Sequence, residues 1–484
     1  MRFLLLFPGL WLWTNSLQAQ GSTDSCRCTQ VFNQVHQKAA ANYAGWADKV
    51  NVNTRPAFTR LVDSLQILAR VTTSDTGCMT LLKRYKAFFR DGHFQVSLRA
   101  SGKGTTSPVR KIPVVEADVR QQLLKRAGHR KPIEGIWETP DHSYTIAVVP
   151  DPQRADALVG VVLSATNPAW TPGSVKMELL PGSGNSINTL YRNAAFEVER
   201  VQLTQQGNFF DISGYGTWIR TFPETITAAE RQAYEQAQSP LEFRQINPGV
   251  AYLRVSNFNV PKAEVDSLVK AHQAALARSP LLIIDIRNNF GGSNSSFSAL
   301  LPLMNTNNFQ DTHSYMRTSP DNIAAEEAMV ARARAGKWDV DSVLNAWARD
   351  VARAKQHPDQ LYRTEGELIR IDSVLPYPAR VAVLINDKCY SSAEYFAFYA
   401  KQSRKTQLFG QHTGGVMDYG NVRNQTMDCS QFILRLPTTR SGWVDTSPVD
   451  NRGFQPDVPI SATEPDWVAF VVNYYKQTPT SSTR

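Results

Sequence analysis

Apolar positions recur at i, i+4 and i+7 through Leu61, Leu65 and Leu68, and the pattern continues through Leu81, Leu82, Tyr85, Phe88 and Phe89. That spacing predicts helices across residues 28–90. They are expected to stop at Arg90-Asp91-Gly92-His93, where the glycine supplies the break. Val96 and Leu98 then alternate like a strand. From 105 to 225 the period shortens. Alternating runs at 144–149, 158–163, 175–179 and 196–201 are punctuated by Gly, Pro, Asn and Asp, which predicts a β domain of small-barrel kind. Gly135-Ile136-Trp137 marks a tryptophan as a candidate plug for a barrel end.

From Asn247 the pattern turns α/β. Strands are expected at 250–256, 281–286 and 381–385, helices at 262–277, 295–303 and 391–403, and a helical insertion at 320–356. Several βα units in succession predict a sheet covered by helices. The chain divides on this reading into an N-terminal helical domain (26–104), a β-rich domain (105–240) and an α/β core (241–465), followed by a disordered tail (476–484).

The first residues read as an export signal spanning 1–19. Arg2 is followed by an apolar run over 3–13 and by Ala19 as a small residue at the cleavage point. The run is too short to predict a membrane span, and no other segment is long and apolar enough. A lipoprotein cut before Cys26 is disfavoured, because Thr-Asp-Ser-Cys lacks the usual leucine. The expected location is therefore periplasmic or extracellular. Five cysteines leave at least one unpaired within the chain, and export permits the rest to pair. Cys389 lies two residues before Ser391, so a Cys389–Cys429 bond would brace that turn. Cys26-x-Cys28 is too close for zinc-ribbon spacing, and no metal is expected. The net charge of +9 is spread along the chain. Its densest basic stretch, 331–355, also carries Asp339, Asp341 and Asp350, so a nucleic-acid groove is not expected.

Two apolar runs end in chemically suggestive turns. One leads from Leu281 into Gly291 and Gly292, the other from Val381 into Ser391. Glycine amides after a buried strand and a hydroxyl at a helix N-terminus are two parts of an acyl-transfer site. Each signal has an ordinary alternative. Ser391-Ser392-Ala393-Glu394 also fits a capping box. The glycine pair also fits a plain turn. His93, with His412 as a rival, also fits a surface histidine, and Asp450 also fits a turn aspartate.

The set gains weight together. Asp285-Ile-Arg-Asn-Asn-Phe-Gly-Gly, Ser391-Ser-Ala-Glu, Gly410-Gln-His-Thr-Gly-Gly and Asn451-Arg-Gly-Phe-Gln-Pro-Asp457 occur in the order found in the C-terminal processing, or tail-specific, serine peptidases, and Asp91-Gly92-His93 resembles the same family. The resemblance covers 247–462 well and 28–98 loosely. The lysine of the family's serine–lysine branch falls on Val416 and its glutamine on Gly420. The chain therefore resembles the tricorn-core branch, with a histidine from the N-terminal part and an acid before Asn-Arg-Gly. Aspartate replaces the usual glutamate there, Gly92 stands where tricorn has serine, and Phe290 replaces the first of three frequent glycines.

The resemblance implies a ClpP/crotonase-like ββα spiral for the core. It implies Ser391 as nucleophile, His93 as base, Asp450 as the carboxylate fixing the imidazole, and an oxyanion hole from Gly291 or Gly292 with Ser392. Each such amide contributes on the order of 3 kcal/mol to barrier reduction. Asp418, Tyr419 and Asn421 follow the Thr413 turn and are further candidates for the site lining. Residues 105–225 carry no evident PDZ glycine loop, so tail specificity is not carried over. The expected activity is an exported serine endopeptidase acting on unfolded or partly unfolded polypeptide, with no cofactor. The alternatives are a non-catalytic binding protein on the same scaffold and an esterase.

Overall fold

The computed structural model describes residues 26–98, 109–180, 186–193, 196, 198–213, 215–232, 239–336, 341–366 and 368–477. The expected signal segment and the residues after Gln477 lie outside these. Lys476 and Gln477 end the last helix, Trp467–Gln477.

Four helices open the chain: Cys28–Asn42, Trp46–Lys49, Arg55–Val71 and Asp75–Phe89. Their apolar stripes meet in one core rich in aromatic rings, including Phe32, Phe58, Tyr85 and Phe89. Ser74 caps the last of them, accepting from the Gly77 amide at 3.1 Å. The stop differs from the expected one. Arg90, at φ 48° and ψ 44°, takes the left-handed position that terminates the helix. Gly92 is needed for a different reason, since a Cβ there would lie 2.6 Å from Val416 Cγ1. Two parts of the chain far apart in sequence meet at this point.

The middle region closes into a barrel of eight strands, from Gly135–Glu138 to Gly216–Phe222, each paired antiparallel with its neighbours. Trp137 is fully buried in its interior against Phe210, with Nε1 donating to the Ile133 carbonyl at 2.9 Å.

The C-terminal region is built on six strands that neighbour one another in chain order: Leu241–Asn247, Val250–Val255, Leu281–Asp285, Arg380–Ile385, Thr406–Gly410 and Val458–Pro459. The first pair is antiparallel and the rest are parallel. Strands covered on both faces must be apolar throughout, and Leu281–Asp285 is buried at every position. The expected helix at 295–303 is a 3-10 turn, Asn294–Leu300, followed by the short helix Leu301–Met304. Pro302 accounts for the change, since it has no N–H to continue the first segment.

A second sheet carries Phe432–Ser441, which pairs with Gln95–Leu98, Tyr419–Gln425 and Ser314–Arg317. The strand after His93 is thereby stitched into the C-terminal region. The helical insertion, Pro320–Gly336 and Asp341–Ala354, docks on the first helix and this sheet through Lys38–Asp321 at 2.9 Å and Arg423–Glu326 at 2.8 Å.

The cysteines pair as Cys26–Cys429 and Cys28–Cys78. The expected Cys389–Cys429 brace is not formed. Cys389 is fully buried under the nucleophile turn, its thiol against the Ile286 carbonyl, and burial pushes that thiol up to about 12. Cys429 instead ties the C-terminal region to the first helix. Among the described residues no helix is long and apolar enough to cross a membrane.

Candidate active site

Ser391 lies between the buried strand Arg380–Ile385 and the helix Ser392–Ala400. Its backbone is at φ 56° and ψ −121°, far from the extended conformation of an ordinary N-cap. A serine held in this sparsely populated region is what a strained strand-to-helix elbow produces. Glu394 fixes the elbow from within. Its buried carboxylate accepts from the amides of Ser391 (3.3 Å), Gly415 (2.8 Å) and Val416 (2.9 Å), and from the Thr413 hydroxyl (2.6 Å). Burial raises the Glu394 carboxyl, and these four donors oppose the rise. Half of the capping box therefore exists, and its glutamate also holds the loop 413–416 against the helix.

The glycine turn lies directly beside this elbow. A Cβ on Gly291 would come 2.8 Å from Ser391 Cβ and 3.0 Å from the Ser392 amide. Both glycines have positive φ, 90° and 144°, a conformation that favours glycine. The Gly291 amide is already engaged, donating to Asn289 Oδ1 at 2.9 Å. The amides of Gly292 and Ser392 have no partner among the described residues. The Ser392 hydroxyl donates to the Gly292 carbonyl at 2.8 Å and locks the two turns together. Asn289, fully buried, also donates to the Val255 carbonyl, and its own carbonyl accepts from Tyr390. Its part in shaping the turn was not legible from sequence, although it stands inside the Asp285–Gly292 motif. Phe290 is 67% exposed and stacks on Tyr390, with centroids 5.8 Å apart.

His93 arrives from the N-terminal helical unit. Its amide donates to Asp91 Oδ1 at 2.7 Å, and its Nδ1 lies 2.6 Å from the Tyr419 carbonyl. That contact selects the tautomer with the proton on Nδ1 and leaves Nε2 as the acceptor. No Ser391–His93 hydrogen bond is formed among the described residues. The rival His412 is exposed, with Nδ1 against the Thr413 carbonyl.

Asp450 makes no hydrogen bond to His93 either. Its Oδ1 accepts from the Asp418 amide at 3.0 Å. Its buried Oδ2 has no hydrogen-bond partner, and its nearest countercharge is Lys49 Nζ at 3.6 Å. Burial, with Asp91 and Asp418 nearby, raises the Asp450 carboxyl to about 8. Asp91 is likewise raised by burial, against the pull of His93 and the Tyr43 hydroxyl. A cluster of carboxyls thus lies beside the histidine, and Lys49 from the short second helix faces it.

Of the other candidates, Asp418 and Tyr419 have their polar side-chain atoms committed to the fold. Asp418 is buried and accepts from the Trp443 indole (3.0 Å) and the amides of Val449 (2.8 Å) and Asp450 (3.0 Å). The Tyr419 hydroxyl donates to Asp48 at 2.9 Å. Asn421 is exposed at φ 51°, its carbonyl accepting from Thr438.

No curated protein matches this chain. Among solved structures it is similar to mature CPAF, at 14% identity and TM-score 0.49, covering 90% of this chain and 92% of that one. It is also similar to the photosystem II D1 C-terminal processing protease, at 14% identity and TM-score 0.37, covering 90% and 94%. The tricorn protease matches at 12% identity and TM-score 0.38, over 90% of this chain and 34% of that one. Residues 249–460, which contain the glycine turn, the serine elbow and Asp450, match the model of peptidase family S41. Over residues 249–460 the chain is similar to that family of C-terminal processing peptidases, and the protein is a serine-type peptidase.

Proposed function

We propose that the protein is an exported endopeptidase that cleaves unfolded or partly unfolded polypeptide through an acyl-enzyme on Ser391. We read its six-stranded sheet and covering helices as a core of the ClpP/crotonase-like ββα type. In the proposed reaction Ser391 Oγ attacks the scissile carbonyl while His93 Nε2 takes its proton. The oxyanion is received by the amides of Gly292 and Ser392, and His93 returns the proton to the leaving amine. Water then repeats the sequence on the ester. The Tyr419 carbonyl orients the imidazole, with Asp450 and Asp91 as the carboxyls behind it. The Ser391–His93 bond would form when substrate closes the site, as is common for catalytic contacts that are loose without it.

The observation that carries this reading is the union of parts that no single motif supplies. A serine at positive φ stands beside two unpartnered amides, and a histidine from another unit is held by its Nδ1. Export is supported by the two disulfides, which persist in oxidising compartments. Exposed Phe290 beside the turn supports contact with apolar side chains of an unfolded substrate.

The test is intact-mass labelling with a small fluorophosphonate. One adduct is expected on wild type and none on Ser391→Ala or His93→Ala. A folded wild type that takes no adduct would sink the assignment.

A further inference from the structure

The barrel has two unlike ends. At one, Lys176 fills the interior, with Nζ 4.0 Å from the Trp170 ring, 4.2 Å from Tyr144 and 4.9 Å from Tyr191. The strand register places Leu158 opposite Leu179 at the other end. There the barrel opens into a cavity of about 730 Å³, within the range of small-molecule sites. Its apolar wall includes Leu158, Leu179, Leu180 and Ile187, and its cations include Arg130 and Arg220.

Arg220 is the unusual member. It is 4% exposed, its guanidinium lies 4.5 Å from the centre of the Trp137 ring, and its Nε has no hydrogen-bond partner. Its other nitrogens reach Glu224 and the Pro132 carbonyl. Glu224 also receives Arg130, so one exposed carboxylate faces two guanidiniums. Arg130, Lys131 and Arg220 against Glu224 and the lining Asp156 leave this apolar-walled cavity with an excess of positive charge, which suits a ligand with one anionic end and one apolar end.

The barrel also argues against an extended peptide here. Its strands close on one another, so no free edge is available to hold a peptide main chain by strand addition. We propose that this open end binds a small amphiphilic carboxylate, with the anion at Arg220 and Arg130 and an acyl chain against the leucine and isoleucine wall.

Calorimetric titration of the full-length protein with laurate below its micellar concentration tests this. Dodecyltrimethylammonium serves as the cationic counterpart, and a peptide with an apolar residue and a free carboxylate at its C-terminus as the competing class. One-to-one laurate binding is expected, weakened at least tenfold by Arg220→Gln and by Leu180→Glu, with no binding of the cationic amphiphile. If circular dichroism shows that Arg220→Gln has unfolded the barrel, Leu180→Glu decides alone, because it leaves the Arg220 contacts intact. The proposal is overturned by any of three results: no laurate binding, equal binding of both amphiphiles, or laurate binding unchanged in the folded variants. Tighter binding of the peptide than of laurate overturns it as well.

Discussion

Replacing Asp450 by asparagine separates two states of the cluster beside His93. In the native chain this carboxyl is raised from 3.8 to about 8 by burial and by Asp91 and Asp418. A carboxyl that holds its proton more tightly when folded supports the fold at low pH, and that support is lost as pH rises from about 4 to about 8. At about 1.4 kcal/mol per pH unit the whole gap would be worth ~6 kcal/mol, a ceiling set by an isolated group. Lys49 at 3.6 Å and the neighbouring carboxyls share the load. About half, ~3 kcal/mol, is therefore the expected change. Asparagine can keep the acceptor for the Asp418 amide and carries no charge at any pH. Urea unfolding of wild type and Asp450→Asn at intervals from pH 5 to pH 9 reads the effect. About three of the four pH units of that window fall within the measured range, so the variant is expected to gain on wild type by ~2 kcal/mol between pH 5 and pH 9, most of it below pH 8. Because Asp91 and Glu394 are also raised, both proteins should lose stability with pH, and only the difference reports on Asp450. Parallel curves would refute the reasoning and mean that Lys49 holds Asp450 ionised throughout.

Other perturbations follow from the same geometry. Glu394→Gln turns an amide donor toward the N–H groups of Gly415 or Val416; a loss of about 2 kcal/mol in stability and slower fluorophosphonate labelling are expected, read by urea unfolding and stopped labelling time courses. Phe290→Ala removes an exposed ring beside the glycine turn, so KM for an unfolded protein substrate should rise severalfold with little change in kcat; an unchanged KM would remove Phe290 from substrate contact. Cys28→Ser with Cys78→Ser opens a loop with a sequence separation of 50, worth ~4 kcal/mol in the chain-entropy account, and should lower the midpoint of thermal unfolding. Cys389, buried with its thiol pushed up, should resist iodoacetamide in the folded protein and react only on denaturation.

Local pattern was enough to foresee the helical beginning, the shift to short alternating strands and the return to α/β order, because side-chain periodicity reports directly on which face an element buries. It also located the glycine turn and the serine elbow, since both are continuous stretches whose residue types answer to their own backbone. Sequence order could not decide what meets across long separations. The Cys26–Cys429 pairing, the stitching of Gln95–Leu98 onto Phe432–Ser441 and the contact of Gly92 with Val416 join residues more than 300 positions apart. Tertiary packing alone selects among such partners. The same holds for the imidazole: the sequence offered Asp450 as its partner, whereas the fold gives Nδ1 to the Tyr419 carbonyl and leaves Asp450 among other carboxyls. A backbone carbonyl is present at every residue and leaves no mark in composition. Only the path of the chain decides which one faces a histidine.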